Sequence, residues 1–346
     1  MKIGITGAAG FLGLHLAKKF NTNSFDLTLC DIQDFIKKDY SNGKILKADI
    51  RNPNKMDEFT KNKDVIIHAA AALPLWSKKE IQDINVNGTK NLLKNCLKNK
   101  VKHFVYISST AVYGVPKKHP VYESDQLVGV GAYGNSKIQA EKICREFRNK
   151  GLVVTIIRPK TFIGTHRLGV FEILFDWIKD GKKIPVIGTG KNRYQLLDVD
   201  DLTEAVLRLV LFKNKQKINS EFNIGAKKFE TIQKDLNLLF KYAKSGSNLF
   251  PTPTMPIKAV LFILEKLKLS PLYKWVYATA DKDSYVSIKK IEKVLSWSPK
   301  YSNSHSLIKS YKWYLENYSQ IKSHKPGITH TVGWKQGILG FFKKFL

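Results

Sequence analysis

The sequence predicts an α/β fold, a doubly wound parallel sheet with a smaller mixed C-terminal region. Three observations carry this reading. Six short apolar runs alternate with helical patterns through roughly the first 160 residues. A G-x-x-G-x-x-G loop joins the first run to the first helix. A chain of 346 residues that is 43% hydrophobic can also bury a substantial core, which makes extensive disorder a poor description.

The first run, KIGIT at residues 2 to 6, is short and β-rich and ends at Gly7. Phe11, Leu12, Leu14, Leu16, Ala17 and Phe20 then recur with helical spacing, so a helix begins inside the loop. Gly7 permits a tight turn, Gly10 lets backbone approach a pyrophosphate, and Gly13 lets the helix pack closely on the sheet. The helix N-terminus then faces the phosphate charge. Strand, glycine turn and helix make a Rossmann-type unit, in which Ala9, Phe11 and Leu12 join the three glycines as cofactor contacts. The second run, LTLCD at 27 to 31, ends on Asp31, eighteen positions after Gly13, where a carboxylate can accept hydrogen bonds from an adenosine ribose. An acid there repels the extra phosphate of NADP, and Ile32 and Gln33 offer no arginine to receive it. NAD is expected in preference to NADP.

The remaining runs are KILKAD at 44 to 49, DVIIHAA at 64 to 70, HFVYIS at 103 to 108 and LVVTIIRP at 152 to 159, with long helices expected near 83 to 98 and 133 to 149. In the second of these helices Tyr133 and Lys137 are four apart and share a face. A free tyrosine titrates near about 10. An ammonium beside the phenol favours the phenolate, so the pairing predicts a lowered value and a useful base at neutral pH.

Charge and cysteine usage narrow the function classes. Lys and Arg total 58 against 29 Asp and Glu, a net charge of +29 that attracts polyanions. The lysines are scattered, and zinc-finger spacing, RNA-binding aromatic signatures and a concentrated basic arm are all missing, so nucleic acid is not an expected partner. Cys30, Cys96 and Cys144 are odd in number, widely spaced and outside any C-x-x-C pair. That predicts no disulfide framework, no metal site and a reducing compartment. No signal peptide precedes the first strand, and no apolar run approaches the roughly 20 residues that span a bilayer. The expected location is cytoplasmic.

ISSTAVYG at 107 to 114 and YGNSK at 133 to 137 follow the glycine loop in order. With them the chain closely resembles the extended short-chain dehydrogenase/reductase superfamily, in its NAD-dependent epimerase/dehydratase group, over about residues 1 to 300. The resemblance implies that Tyr133 is the acid/base for a substrate hydroxyl or carbonyl, that Lys137 also binds the nicotinamide ribose, and that Ser109 hydrogen-bonds the same substrate oxygen. Thr110 could share that task. It further implies Asp49 and Ile50 against adenine, and Ala69, Ala70 and Ala71 along the dinucleotide groove. Asn87 matches the asparagine that braces the central helix and strand, and Arg158-Pro159 lies beside the nicotinamide. His68 reads as a core histidine. Pairing of the two long helices would give a homodimer.

The chain divides into an NAD-binding core at 1 to 160, a substrate-binding region at 161 to 320 interleaved with the last core elements, and a basic amphipathic tail at 321 to 346. VIGTGKNRYQLLDVDDL at 186 to 202 resembles the family's approach to a helix capped by Asp200 and Asp201, FNIG at 222 to 225 is a further landmark, and Arg193 stands where sugar-nucleotide enzymes hold a diphosphate. There are two departures. Thr161 replaces the asparagine of nucleotide-sugar members, and Thr110-Ala111 replace the Asp-Glu pair that dehydratases use to move the protons of water elimination.

The expectation is therefore NAD-dependent oxidoreduction at a secondary alcohol, first as epimerisation of a sugar or nucleotide sugar. Thr161 and the greasy basic segments lean toward a second reading, a 3β-hydroxysteroid-dehydrogenase-like enzyme for a lipophilic or membrane-borne alcohol. A non-catalytic NAD-responsive binding protein is the third, and retention of Ser109, Tyr133 and Lys137 argues against it. The stretch around Phe262, Leu264 and Leu267 reads as core helix or as a lid. Trp334, Ile338, Leu339, Phe341, Phe342 and Phe345, flanked by Lys335, Lys343 and Lys344, fit either an interfacial helix on anionic lipid or a helix docked on the body or a partner. The first would place the protein at the inner face of a membrane.

Overall fold

Strand β1 (Lys2–Thr6) runs into the glycine loop and helix α1 (Phe11–Asn21), which buries Phe11, Leu12, Leu14, Leu16 and Phe20 against the sheet. The computed structural model describes residues 1–23, 25–35, 43–267, 269–270, 272, 274–327 and 329–346. The apolar stretch around Phe262, Leu264 and Leu267 is followed by three positions, 268, 271 and 273, outside the described residues. After α1 come β2 (Asp26–Asp31), β3 (Lys44–Lys47), α2 (Pro53–Thr60), β4 (Val65–His68), α3 (Lys78–Gln82), α4 (Thr89–Lys98), β5 (His103–Ile107), α5 (Gly131–Arg148) and β6 (Val154–Pro159). A π turn, Asp83–Gly88, fuses α3 and α4 into one long helix. Local chemistry starts these helices: Asn52 caps α2 with Pro53 behind it, and Ser77 with Glu80 forms a reciprocal capping box on α3.

The second half contributes β7 (Phe162–Ile163), α6 (Val170–Lys179), β8 (Ile184–Ile187), β9 (Leu197–Asp198), α7 (Val199–Leu211), α8 (Lys215–Ile218) and β10 (Glu221–Ile224). It continues with α9 (Ile232–Ala243), β11 (Leu249–Thr252), α10 (Thr254–Lys266), α11 (Lys274–Thr279), α12 (Lys289–Leu295), α13 (Asn303–Glu316), α14 (Tyr318–Ser323) and α15 (Ile338–Phe342).

All six runs read from the sequence are strands of one seven-stranded parallel sheet, ordered β10-β6-β5-β4-β1-β2-β3. The seventh strand, β10, carries the FNI of FNIG, so the substrate-binding half returns to complete the sheet. β4, β5 and β6 are buried throughout, as central parallel strands covered on both faces must be. Helices α1, α7 and α12 cover one face and α2, α4 and α5 the other. A third core joins α6, α9 and α13 with Trp334 of the tail. Strand order reverses beside β1, whose last residue, Thr6, aligns with Cys30 of β2 and His68 of β4. A crevice therefore opens beyond these strand ends, where ligands of doubly wound sheets bind.

Helix α7 departs from the expected capping: Asp198, not Asp200 or Asp201, caps it by accepting the Asp200 N–H at 2.9 Å. No helix among the described residues is long and apolar enough to cross a membrane.

Candidate active site

The crevice holds a cavity of about 600 Å³ that begins at the glycine loop. Gly7 has φ +70°, and a Cβ there would come within 2.5 Å of the Ala70 nitrogen. A Cβ on Gly13 would come within 2.1 Å of the Gly7 carbonyl, so only glycine lets α1 approach its strand this closely. Gly10 N-caps α1 without any side-chain acceptor, leaving the first-turn N–H groups directed at whatever anion occupies the loop. Ala9, Phe11, Leu12, Asp49, Ile50, Ala69, Ala70 and Ala71 also line this cavity. Asp31 stands in its wall, held by the N–H groups of Ala9 and Gln33, each at 2.9 Å. Burial raises its pKa, outweighing those backbone bonds. A glycine cradle that no Cβ could share, a capless helix end and a strand-end acid fit a dinucleotide.

His68 is a core residue: its ring nitrogens bond Thr6 at 2.7 Å and Thr89 at 2.9 Å, and burial drives its pKa down to about 3. The bracing asparagine differs from the expected one. Asn85 is buried and bonds both backbone groups of Ala72, at 2.8 and 3.1 Å, as well as Ser136 at 3.0 Å. Asn87 is exposed and donates to Asp83 at 3.1 Å, because the π turn changes the helical phase across NVNGT.

Tyr133 and Lys137 lie in the first two turns of α5, and both line the cavity that begins at the glycine loop. Ser109 ends the β5 loop and N-caps a short 3₁₀ turn by accepting the Ala111 N–H at 3.1 Å, and its hydroxyl beside the Tyr133 phenol acts to lower that phenol's pKa. Thr110, next to it, is buried and lines neither cavity, so the side chain offered as its substitute points elsewhere. The expected lowering of Tyr133 does not occur in the protein alone. Burial pushes the phenol up to about 12, outweighing the Ser109 hydrogen bond and the Arg167 charge. Lys137 supplies little because its Nζ donates to the Ile107 carbonyl at 2.9 Å and sits 4.9 Å from the Tyr106 ring centre, against 5.8 Å from that of Tyr133. Burial lowers the lysine itself to about 8.

A second cavity of about 780 Å³ meets the first at Leu73, Trp76, Ser108, Tyr133, Phe162 and His330. Pro159 and Thr161 line this second cavity and not the first. Arg193 does not: it is exposed and stacks on Phe229 and Tyr285, with ring centres at 4.6 and 4.9 Å. The buried cations in this cavity wall, Lys160 and Arg167, are two that sequence reading missed, while Lys78 and Lys266 line it as exposed side chains. The Arg167 guanidinium lies among the rings of Phe11, Phe171 and Phe162 at 5.5 to 6.0 Å. Lys160 is 3% exposed, donates to Ser284 at 2.7 Å and is lowered by burial to about 7. Below that pH the folded protein keeps a charged lysine out of water, whereas the unfolded chain stays protonated up to about 10.5. Lys160→Met is therefore expected to melt a few degrees higher than the parent at pH 6, with the gain shrinking as pH rises from 7 toward 10.5; thermal denaturation across that range checks it.

Arg158 is the other departure. It turns inward, 1% exposed, and pairs with fully buried Glu141 at 2.9 Å through Nε and 2.6 Å through Nη2. The same carboxylate accepts from Ser108 at 2.6 Å and Arg145 at 2.8 Å, while Arg158 also donates to Tyr113 at 2.7 Å. This network fixes the strand ends under Ser109 and Tyr133.

The family model for the NAD-dependent epimerase/dehydratase family matches residues 3–225. The chain is 32% identical to the uncharacterised protein y4nG of Sinorhizobium fredii, over 97% of this chain and 84% of that one. It is 28% identical to a putative UDP-glucose 4-epimerase of Methanocaldococcus jannaschii, over 90% of this chain and 98% of the relative. The solved UDP-glucuronic acid 4-epimerase of Bacillus cereus in complex with NAD superposes with a TM-score of 0.76 at 23% identity, covering 92% of this chain and 98% of that structure. A glycine-cradled dinucleotide crevice, a Ser-Tyr-Lys cluster at its far end and a family match across most of the sheet agree: the chain belongs to the NAD-dependent epimerase/dehydratase family, enzymes of the extended short-chain dehydrogenase/reductase type.

Proposed function

We propose that the protein is an NAD-dependent epimerase acting on a secondary alcohol of a sugar carried on a diphosphate. The observation that carries this reading is the placement of Ser109 beside Tyr133, which lines both cavities, one fitted to a dinucleotide and the other walled by Lys160 and Arg167. Two cations suit a diphosphate, and the guanidinium can grip it in a planar fork. Bound NAD would supply the acceptor, and then the donor, of hydride and add positive charge beside the phenol. Tyr133 takes the hydroxyl proton as the carbonyl forms and returns it when the opposite face is reduced. Ser109 holds the same oxygen, and Lys137 supports the negative charge on the phenol.

The apolar walls of the second cavity, among them Phe171, Leu174, Leu236 and Phe262, favour a second form of this reading in which the carrier beyond the diphosphate is lipophilic and the tail touches a membrane. Pairing through the helices at 83 to 98 and 133 to 149 completes the proposal as a homodimer.

The test is incubation with NAD and a panel of UDP-sugars and lipid-linked diphosphosugars, with product stereochemistry read by NMR. Epimer formation without net cofactor reduction supports the proposal. Net accumulation of reduced cofactor, or no conversion of any diphosphosugar, overturns it. NAD is preferred over NADP in this reading because of Asp31. Asp31→Ser removes a charged acceptor worth about 1.5–3 kcal/mol, so the NAD-over-NADP affinity ratio should fall roughly 10- to 100-fold in calorimetric titrations.

A further inference from the structure

Helix α10 is amphipathic in the wrong sense for a surface helix. Met255, Ala259, Phe262, Ile263, Lys266 and Leu267 share one face at i, i+4, i+7, i+8, i+11 and i+12, and that face is turned outward. Met255 is 78% exposed, Ile263 55% and Leu267 60%, while Leu261 is the only residue on the helix that is buried. The tail extends the same surface. The Ile338 N–H donates to the Leu269 carbonyl at 3.1 Å just beyond α10, and Phe341, Phe342 and Phe345 project outward.

The inner side of the tail is docked on the body. Trp334 is buried over Gly169, Trp177 donates to Gln336 at 3.1 Å, and Lys343 pairs with Asp176 and Asp180 at 2.6 Å each. The two sequence-based alternatives for the tail thus describe its two sides. Lys266, Lys335 and Lys344 stand exposed along the outer apolar surface, whereas the acids beneath it are engaged, Asp176 and Asp180 by Lys343 and Glu265 by Tyr277.

We infer that α10 and the C-terminal tail together form a docking surface for an anionic lipid bilayer, with the mouth of the substrate cavity beside it. An apolar patch of this kind marks an interaction site, and its lysine fringe selects a negatively charged partner. A second copy of a chain with net charge +29 would bring lysines against lysines. A nucleic acid would leave the aliphatic stripe unused. Phe262, Glu265 and Lys266 line the substrate cavity from the same helix, so a substrate could enter the cavity while its lipid stays in the membrane. This last consequence rests on the lipophilic-carrier form of the proposed function, whereas docking itself does not.

Vesicle flotation of the full chain tests docking without any assay of activity. Vesicles of phosphatidylglycerol and phosphatidylcholine should float the protein, pure phosphatidylcholine should not, and high salt should weaken the binding. Ile263→Glu and Phe345→Glu lie outside the cavity, and each should lower the bound fraction about tenfold with unchanged melting and NAD affinity. No flotation on anionic vesicles, flotation indifferent to both substitutions, or a parent dimer that sedimentation shows the same substitutions to split would overturn the inference. A protein that floats as expected yet converts no diphosphosugar would leave docking standing and remove the epimerase reading.

Discussion

Replacing Tyr133 with phenylalanine is expected to lower kcat by about 10²- to 10⁴-fold while leaving NAD affinity and folding almost unchanged. The substitution removes one oxygen, the one beside the Ser109 hydroxyl, but keeps the ring that Lys137 faces at 5.8 Å. Because the ring still fills the junction between the cavities, KM should move little. The pH profile separates an acid/base role from simple loss of packing. Burial holds the phenol near about 12, so the proton-accepting phenolate grows with pH and the parent rate rises from the acid side. Lys137, lowered to about 8, loses its charge as pH climbs through that value, which removes a cation 5.8 Å from the phenol ring. The parent profile should therefore bend over above pH 8, and the residual rate of the phenylalanine variant should show neither limb. Steady-state kinetics from pH 6 to 10 measure both; a variant that retains a tenth of the parent rate would remove Tyr133 from the chemistry.

What could be read from the chain depended on how local the determining physics was. The glycine loop, its flanking strand and helix, and Asp31 lie within 31 residues, and each glycine answers to a steric demand that a strand–turn–helix pattern already implies. Tyr133 and Lys137 were legible because helical spacing alone puts them on one side of α5. Their electrostatics were not, since the desolvation of Tyr133 and the capture of Lys137 by the Ile107 carbonyl depend on strands packed from elsewhere in the chain. Asn87 is named by the resemblance alone, and across the π turn the buried position falls to Asn85 instead. Arg193 is placed by the resemblance at a diphosphate, yet the rings that hold it belong to Phe229 and Tyr285, brought to it only by the fold. Lys160 and Arg167 carried no motif. Their importance comes from burial in a cavity wall, which one-dimensional pattern does not report.

Glu141→Gln should destabilise the protein by about 3–5 kcal/mol, a large loss for a substitution that preserves shape. The carboxylate is fully buried and accepts from Arg158, Arg145 and Ser108, so the amide would leave the Arg158 guanidinium charged, 1% exposed and without its counter-ion. An amide can still accept hydrogen bonds, but its NH₂ group would be presented to guanidinium donors. Chemical denaturation gives the size of the loss. A double-mutant cycle gives its origin: Glu141→Leu combined with Arg158→Met replaces the pair by apolar groups and should recover most of the stability, since removing both charges also removes the cost of burying them. Activity need not return with it, because Ser108 would lose its 2.6 Å bond to Glu141, and the strand end that presents Ser109 to Tyr133 would be less firmly held. Recovery of folding without recovery of kcat would show that the buried pair positions the site; a single variant within 1 kcal/mol of the parent would show that neighbouring groups already neutralise Arg158.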